Sequence, residues 1–192
     1  MSPPVTEEKK TIAKHLADVF GRPIHVKEYT HDTEPIAVDI LRSDDHPVGG
    51  VTSYSTLGLS DYVIPWGMGE FPTRLELAGA SATANEAFPN ILASAAFRMM
   101  RTGDVYHPGA VIEKYVHQYF PDSPLPHLYF TTPFVWALTA FDAATKKITW
   151  LQAMPIAPSE QAYLKTHGDQ ELERRFKEHR IDVFDINRQP VV

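Results

Sequence analysis

Between Ile24 and Ser81 the sequence sets four short segments of strand character one after another, with turns between them. "IHVKEYT" and "PIAVDILRS" alternate apolar and polar residues, and Ile36, Val38 and Ile40 fall on one face. "HDTEP" separates these two, and "DDHPVGG" is a second turn, rich in residues that tolerate unusual backbone angles. A third strand begins at Val51 and leaves the pattern near Gly58; "TRLELAGAS" supplies the fourth, with Leu75 and Leu77 facing one way and Arg74 and Glu76 the other. Strands that follow one another this closely pair as neighbours, so the order predicts an α+β fold with a mixed or antiparallel sheet.

Helices are expected at the ends of this run and beyond it. "EEKKTIAKHLADVF" places Ile12, Leu16, Val19 and Phe20 on one stripe, with Thr6 as cap and Gly21 and Pro23 as stop. "NEAFPNILASAAFRMMRTG" repeats the pattern, and Pro89 fits only its first turn. "GAVIEKYVHQYF" reads as a strand. "HLYFTTPFVWALTAF" and "KKITWLQAMPI" read as a long aromatic hairpin through the turn "DAAT". "PSEQAYLKTHG" is a short helix capped by Ser159, "DQELERRFKEH" a second capped by Asp169, and "IDVFDINR" a closing strand. At 192 residues and 43% hydrophobic content, with no linker and no internal repeat, one domain over residues 1–192 is expected.

Several chemistries find little support. No cysteine is present, which removes disulfides, thiolate nucleophiles and thiolate-bound zinc. "GLSDY" approaches the G-x-S-x-G nucleophile turn, but Tyr62 stands where the second glycine is needed, so Ser60 is expected to serve the backbone. "GMGEFP" has Pro72 in place of the third glycine of a dinucleotide loop. The nine histidines show no paired metal spacing, "DDHP" is a turn, and "DVFDIN" lacks the calcium-loop glycine. Glu76 and Asp185 are the strand carboxylates; the simplest expectation pairs Glu76 with Arg74 and Asp185 with Arg188. No cofactor is expected.

The N-terminus lacks the basic-then-apolar order of a secretory signal, and no apolar run is long enough to span a bilayer, which predicts a cytoplasmic protein without membrane contact. The net charge of −6 argues against direct nucleic-acid binding. The basic cluster "ERRFKEHR" is interleaved with glutamates, as on a solvated helix face.

Taken in order, "STLGLSD", "RLELAG", "FPNILASAAFRM", "WLQAMPIAPSEQAYLKTHGDQELERRF" and "IDVFDINR" resemble the Suppressor-of-fused (SUFU) domain family, from about residue 30 to Arg188. The resemblance implies an α+β fold with a twisted sheet flanked by helices, no catalytic residue and a protein partner. Short single-domain members are mainly bacterial and resemble immunity proteins of polymorphic toxin systems, the YqcF-like antitoxins among them. That implies a cognate toxin, often a nuclease. In animal members an acidic residue beyond the "GLSD" motif contacts a target peptide; here those positions read "YVIPWG". The candidate partner-binding residues are Tyr54, Asp61, Trp66 and Glu70, an aromatic and acidic set suited to a basic nuclease cleft. The residues leave two alternatives open: a small-molecule enzyme whose site is assembled from distant positions, and an adaptor unrelated to toxins.

Overall fold

The computed structural model describes residues 6–63, 65–66, 69–70 and 73–192, with residues 65 and 66 given by their backbone. The glycine-rich "GMGEFP" therefore lies largely outside the described residues. Helix α1 spans Glu7–Phe20. The Thr6 hydroxyl oxygen accepts from the Lys9 amide at 3.2 Å, satisfying one of the helix's free donors. Ile12, Leu16, Ala17 and Phe20 are buried, and the chain leaves the helix at Gly21, whose φ is 108°.

Strands β1 (Ile24–Thr30), β2 (Ala37–Asp44) and β3 (Val51–Leu57) form an antiparallel meander. A minimal hairpin, β4 (Pro65–Trp66) and β5 (Gly69–Glu70), stands apart from the main sheet. Strand β6 (Arg74–Ala82) pairs antiparallel with β3. Helix α2 (Phe88–Thr102) follows, with Pro89 in its first turn and Gly103 closing it in the left-handed region. The remaining elements are β7 (Val111–Ile112), β8 (His127–Thr131), β9 (Phe141–Asp142), β10 (Lys147–Ile156), α3 (Pro158–His167) and α4 (Asp169–Glu178).

The main sheet runs β1-β2-β3-β6-β10-β8-β7, with β9 also on β10. Only β6–β10 is parallel among these described pairings, so the sheet is mixed. Strand β10 shows how the layers form. Leu151 and Ala153 face α2, while Ile148 and Trp150 face α1 and Met154 and Ile156 face α3 and α4. Strand β6 is therefore covered on both sides, which fixes the fate of its one carboxylate.

Three stretches read as strands depart from that reading. In residues 109–120 only Val111 and Ile112 pair, and a 3-10 turn follows at Val116–Gln118. Lys114 adopts φ 58° and donates its amide to the His127 imidazole at 2.9 Å, so the chain doubles back and buries Ile112 and Val116. Residues 181–188 form turns instead of a strand. The carboxylates of Asp182 and Asp185 accept from the amides two residues on, Phe184 at 2.9 Å and Asn187 at 2.8 Å, and these local bonds compete with a ladder. The aromatic hairpin does pair β8 with β10, but Thr132–Ala140 leaves the sheet and folds over the α1 face, burying Trp136 and Leu138. At the last helices Ala157, not Ser159, caps α3, and Asp169 opens α4 one residue after the cap position.

Candidate partner interface

Strand β3 is buried along its whole length and ends at Gly58, where φ is 111°. A 3-10 turn, Leu59–Asp61, follows. Beneath it sits Glu76 of β6, fully buried. Its Oε1 accepts from the amides of Gly58 at 2.9 Å and Ser60 at 3.0 Å, and its Oε2 from the Thr56 hydroxyl at 2.5 Å. Thr56 Oγ1 in turn accepts from the Leu77 amide at 2.8 Å. The β3–β6 ladder stops at Ser55 opposite Ala78, and past that point one carboxylate and one hydroxyl take over its hydrogen bonds. Burial pushes the Glu76 carboxyl above the ordinary glutamate range, opposed by the hydrogen bonds from Thr56, Ser60 and Gly58. Ser60 is fully buried with its amide committed to Glu76, so it cannot meet a substrate as a nucleophile.

The expected pairings of the two strand carboxylates are corrected. Glu76 does not pair with Arg74, because β6 is a central strand and Arg74 turns to Glu70 at 2.7 Å. Arg188 does not pair with the Asp185 carboxylate. It makes two parallel bonds to Glu160 of α3, at 2.7 and 3.0 Å, with Arg188 only 7% exposed and Glu160 fully buried. Glu160 also accepts the amides of Ala157 at 2.9 Å and Val191 at 3.2 Å, and Arg188 donates to the Pro155 carbonyl at 3.3 Å while lying over the Phe176 ring. Buried charges persist only when paired and hydrogen-bonded, and this pair meets both conditions. The signature stretches thus interlock two by two: "GLSD" with the glutamate of "LEL", and the glutamate after "PI" with the arginine of "DINR".

The four candidate contact residues fall in different settings. Tyr54 is 2% exposed and packs on Phe88 beneath α2, so it offers no surface anchor. Its place just before the "GLSD" motif made it a candidate, but the strand that carries it is buried along its whole length. Asp61 is exposed and pairs with Lys146 at 2.5 Å, which also lies 3.7 Å from Glu8. Glu70 is exposed on β5. Trp66 lies on β4 opposite Gly69; its side chain lies outside the described structure. Tyr62 and Val63, directly after Asp61, are exposed apolar side chains that the sequence reading passed over; the run "DYV" beyond a glycine-ended strand was their signal. The motif turn therefore presents an apolar pair beside a carboxylate, on a backbone held from below by Glu76.

Among the described residues no group of three or more histidines and carboxylates could hold a metal ion, and no helix is long and apolar enough to cross a membrane.

A mixed sheet covered on both faces, and two buried carboxylate locks joining its signature stretches, define a domain class, and the chain belongs to the Suppressor of fused protein (SUFU) family, whose pattern matches residues 34–189. At the level of particular relatives, it is 34% identical over 190 residues to the immunity protein YqcF of Bacillus subtilis (strain 168), covering 98% of this chain and 99% of that one. The crystal structure of a putative SUFU homolog from Neisseria gonorrhoeae FA 1090 superimposes with a TM-score of 0.68 at 20% identity, covering 97% of both chains. A chain of the Sufu–Fu complex crystal structure gives 0.67 at 15% identity, covering 96% of this chain and 92% of that one. Both structures share the fold.

Proposed function

We propose that this chain is an immunity protein that binds and neutralises a cognate protein toxin in the cytoplasm of the cell that makes it, by covering the toxin rather than by catalysis. The observation that carries this reading is the likeness to the Bacillus immunity protein over nearly the whole of both chains. The internal chemistry supports it. Glu76, Glu160 and Arg188 are all spent on holding the fold, which leaves recognition to the surface.

The partner we favour is a nuclease. Such an enzyme keeps a basic cleft for phosphates, and a chain of net charge −6 approaches it with long-range attraction. The face we propose includes Asp61, Trp66 and Glu70, with Tyr62 and Val63 as the apolar part. Tyr54 is left out because it is buried. The test is growth rescue. A candidate toxin domain, taken from a neighbouring gene, is induced in cells that do or do not carry this chain. Rescue by this chain, and none by an unrelated immunity protein, supports the reading. Toxicity unchanged at equal expression overturns it.

A further inference from the structure

On the side of the molecule carrying α4, the segment after β8 and the C-terminal end of α4 enclose a hollow of about 570 Å³. Pro133, Phe176, Ile181 and Val183 give it apolar walls. Phe134 stands at its rim, 56% exposed. This exposure is not that of a loose loop. The amides of Phe134 and Val135 both donate to Oε1 of Gln152, a buried residue of β10, at 3.1 and 3.2 Å. The backbone is pinned while the ring is left in water, and the ring continues the apolar walls of the hollow instead of standing alone.

The charges at the rim are arranged unevenly. On α4, Arg174 and Arg175 are tied to Glu171 and Glu178. Lys177 and Arg180, which line the hollow, have no carboxylate partner among the described residues. Arg180 moreover sits at φ 48°, a left-handed helix end where glycine would carry no steric penalty. The one carboxylate in the lining, Glu173, turns Oε1 to the hydroxyls of Tyr129 at 2.9 Å and Thr131 at 2.5 Å. Within an acidic chain, this rim is locally cationic.

We propose that this hollow docks an acidic segment of a partner protein, which inserts one apolar side chain against Phe134 and Phe176 and sets carboxylates on Lys177 and Arg180. A second copy of this chain fits poorly, because a two-fold contact would bring the same cations face to face. A bare phosphate chain makes no use of the apolar walls. The proposal rests on the partner-binding reading only for the partner being a protein, and not for its being a toxin.

The test is selection from a phage-displayed random peptide library on the purified protein. Counter-selection uses the Phe134→Ala, Lys177→Gln, Arg180→Gln variant, shown by its melting curve to be folded. The expected peptides share an aromatic or aliphatic residue flanked by aspartate or glutamate. Titrated singly, such a peptide binds roughly tenfold more weakly to the Lys177→Gln, Arg180→Gln protein, a difference that shrinks as salt is raised. Phe134→Ala weakens it at every salt concentration. No enriched sequence, an enriched sequence without carboxylates, or binding indifferent to these variants overturns the proposal. So does a dimer in sedimentation that Phe134→Ala dissolves, which would make a second copy the occupant. Failure of growth rescue leaves this selection unaffected, and an empty selection leaves growth rescue unaffected, so the two readings fail separately.

Discussion

Replacing Glu76 by alanine removes the acceptor for two buried backbone amides, Gly58 and Ser60, and for the Thr56 hydroxyl. A buried donor left without a partner costs about 1–3 kcal/mol. The Thr56 hydroxyl can turn toward the Leu77 carbonyl at 3.5 Å, so its share is small. The amides of Gly58 and Ser60 are buried and find no second acceptor among the described residues. Against this stands the relief of an unfavourably buried carboxylate, whose pKa burial has raised. The balance is a loss of about 3–4 kcal/mol for Glu76→Ala. Glu76→Gln keeps a carbonyl for both amides and needs only that Thr56 reverse its hydrogen, so its loss is about 1 kcal/mol. The pH dependence adds a second check. Because the folded pKa of Glu76 lies above its unfolded value, its contribution is full below the unfolded pKa and declines as pH rises through the folded one. The stability difference between wild type and Glu76→Gln is therefore larger at acid pH than at neutral pH. Urea denaturation followed by tryptophan fluorescence measures both. A Glu76→Ala midpoint equal to wild type, or a difference that grows as pH rises, refutes the reasoning.

The second lock predicts a loss of about 3–5 kcal/mol for Arg188→Ala, read in the same denaturation assay, because Glu160 is left charged and buried without its partner. Gly58→Val costs about 1–3 kcal/mol from the strained φ of 111°; the Lys9 side chain, which a Cβ would meet at 2.9 Å, can move aside. Ser60→Ala leaves toxin neutralisation in cells unchanged, since Ser60 is buried; loss of neutralisation in a stably folded variant would reopen the nucleophile. Asp61→Asn with Glu70→Gln slows association with the toxin roughly tenfold at low salt in stopped-flow mixing, and the gap closes at high salt; equal rates at both would remove these carboxylates from the interface.

Where local chemistry decides, the fold was legible in the sequence. Helix α1 begins and ends where Thr6 and Gly21 say it should, and β1 and β2 form within the stretches read as strands. It was illegible where a distant group decides. The pattern of residues 109–120 suits a strand, but His127 captures the Lys114 amide and turns the chain. In residues 181–188 two aspartates offer their own acceptors. Glu76 was assigned to a neighbour two residues away because nothing in "RLELAG" tells that both faces of β6 are covered. Tyr54 was chosen for its nearness to the motif, which says nothing of the cover over β3. The "GLSD" turn could be placed from Gly58 alone, but its partner lies 18 residues on, across the strand pair. The stretches that carry the resemblance hold these buried locks, so they speak for the fold, and the contact face proposed at Tyr62, Val63 and the exposed carboxylates lies outside the locks.

The most direct measurement titrates the purified chain against the purified toxin domain and follows toxin activity together with complex mass. The account predicts inhibition that is complete at one chain per toxin, a complex of that composition, and full toxin activity once the two are separated under denaturing conditions and the toxin refolded. Inactivation by far less than one equivalent, with the toxin left chemically altered, would show a catalyst and contradict it.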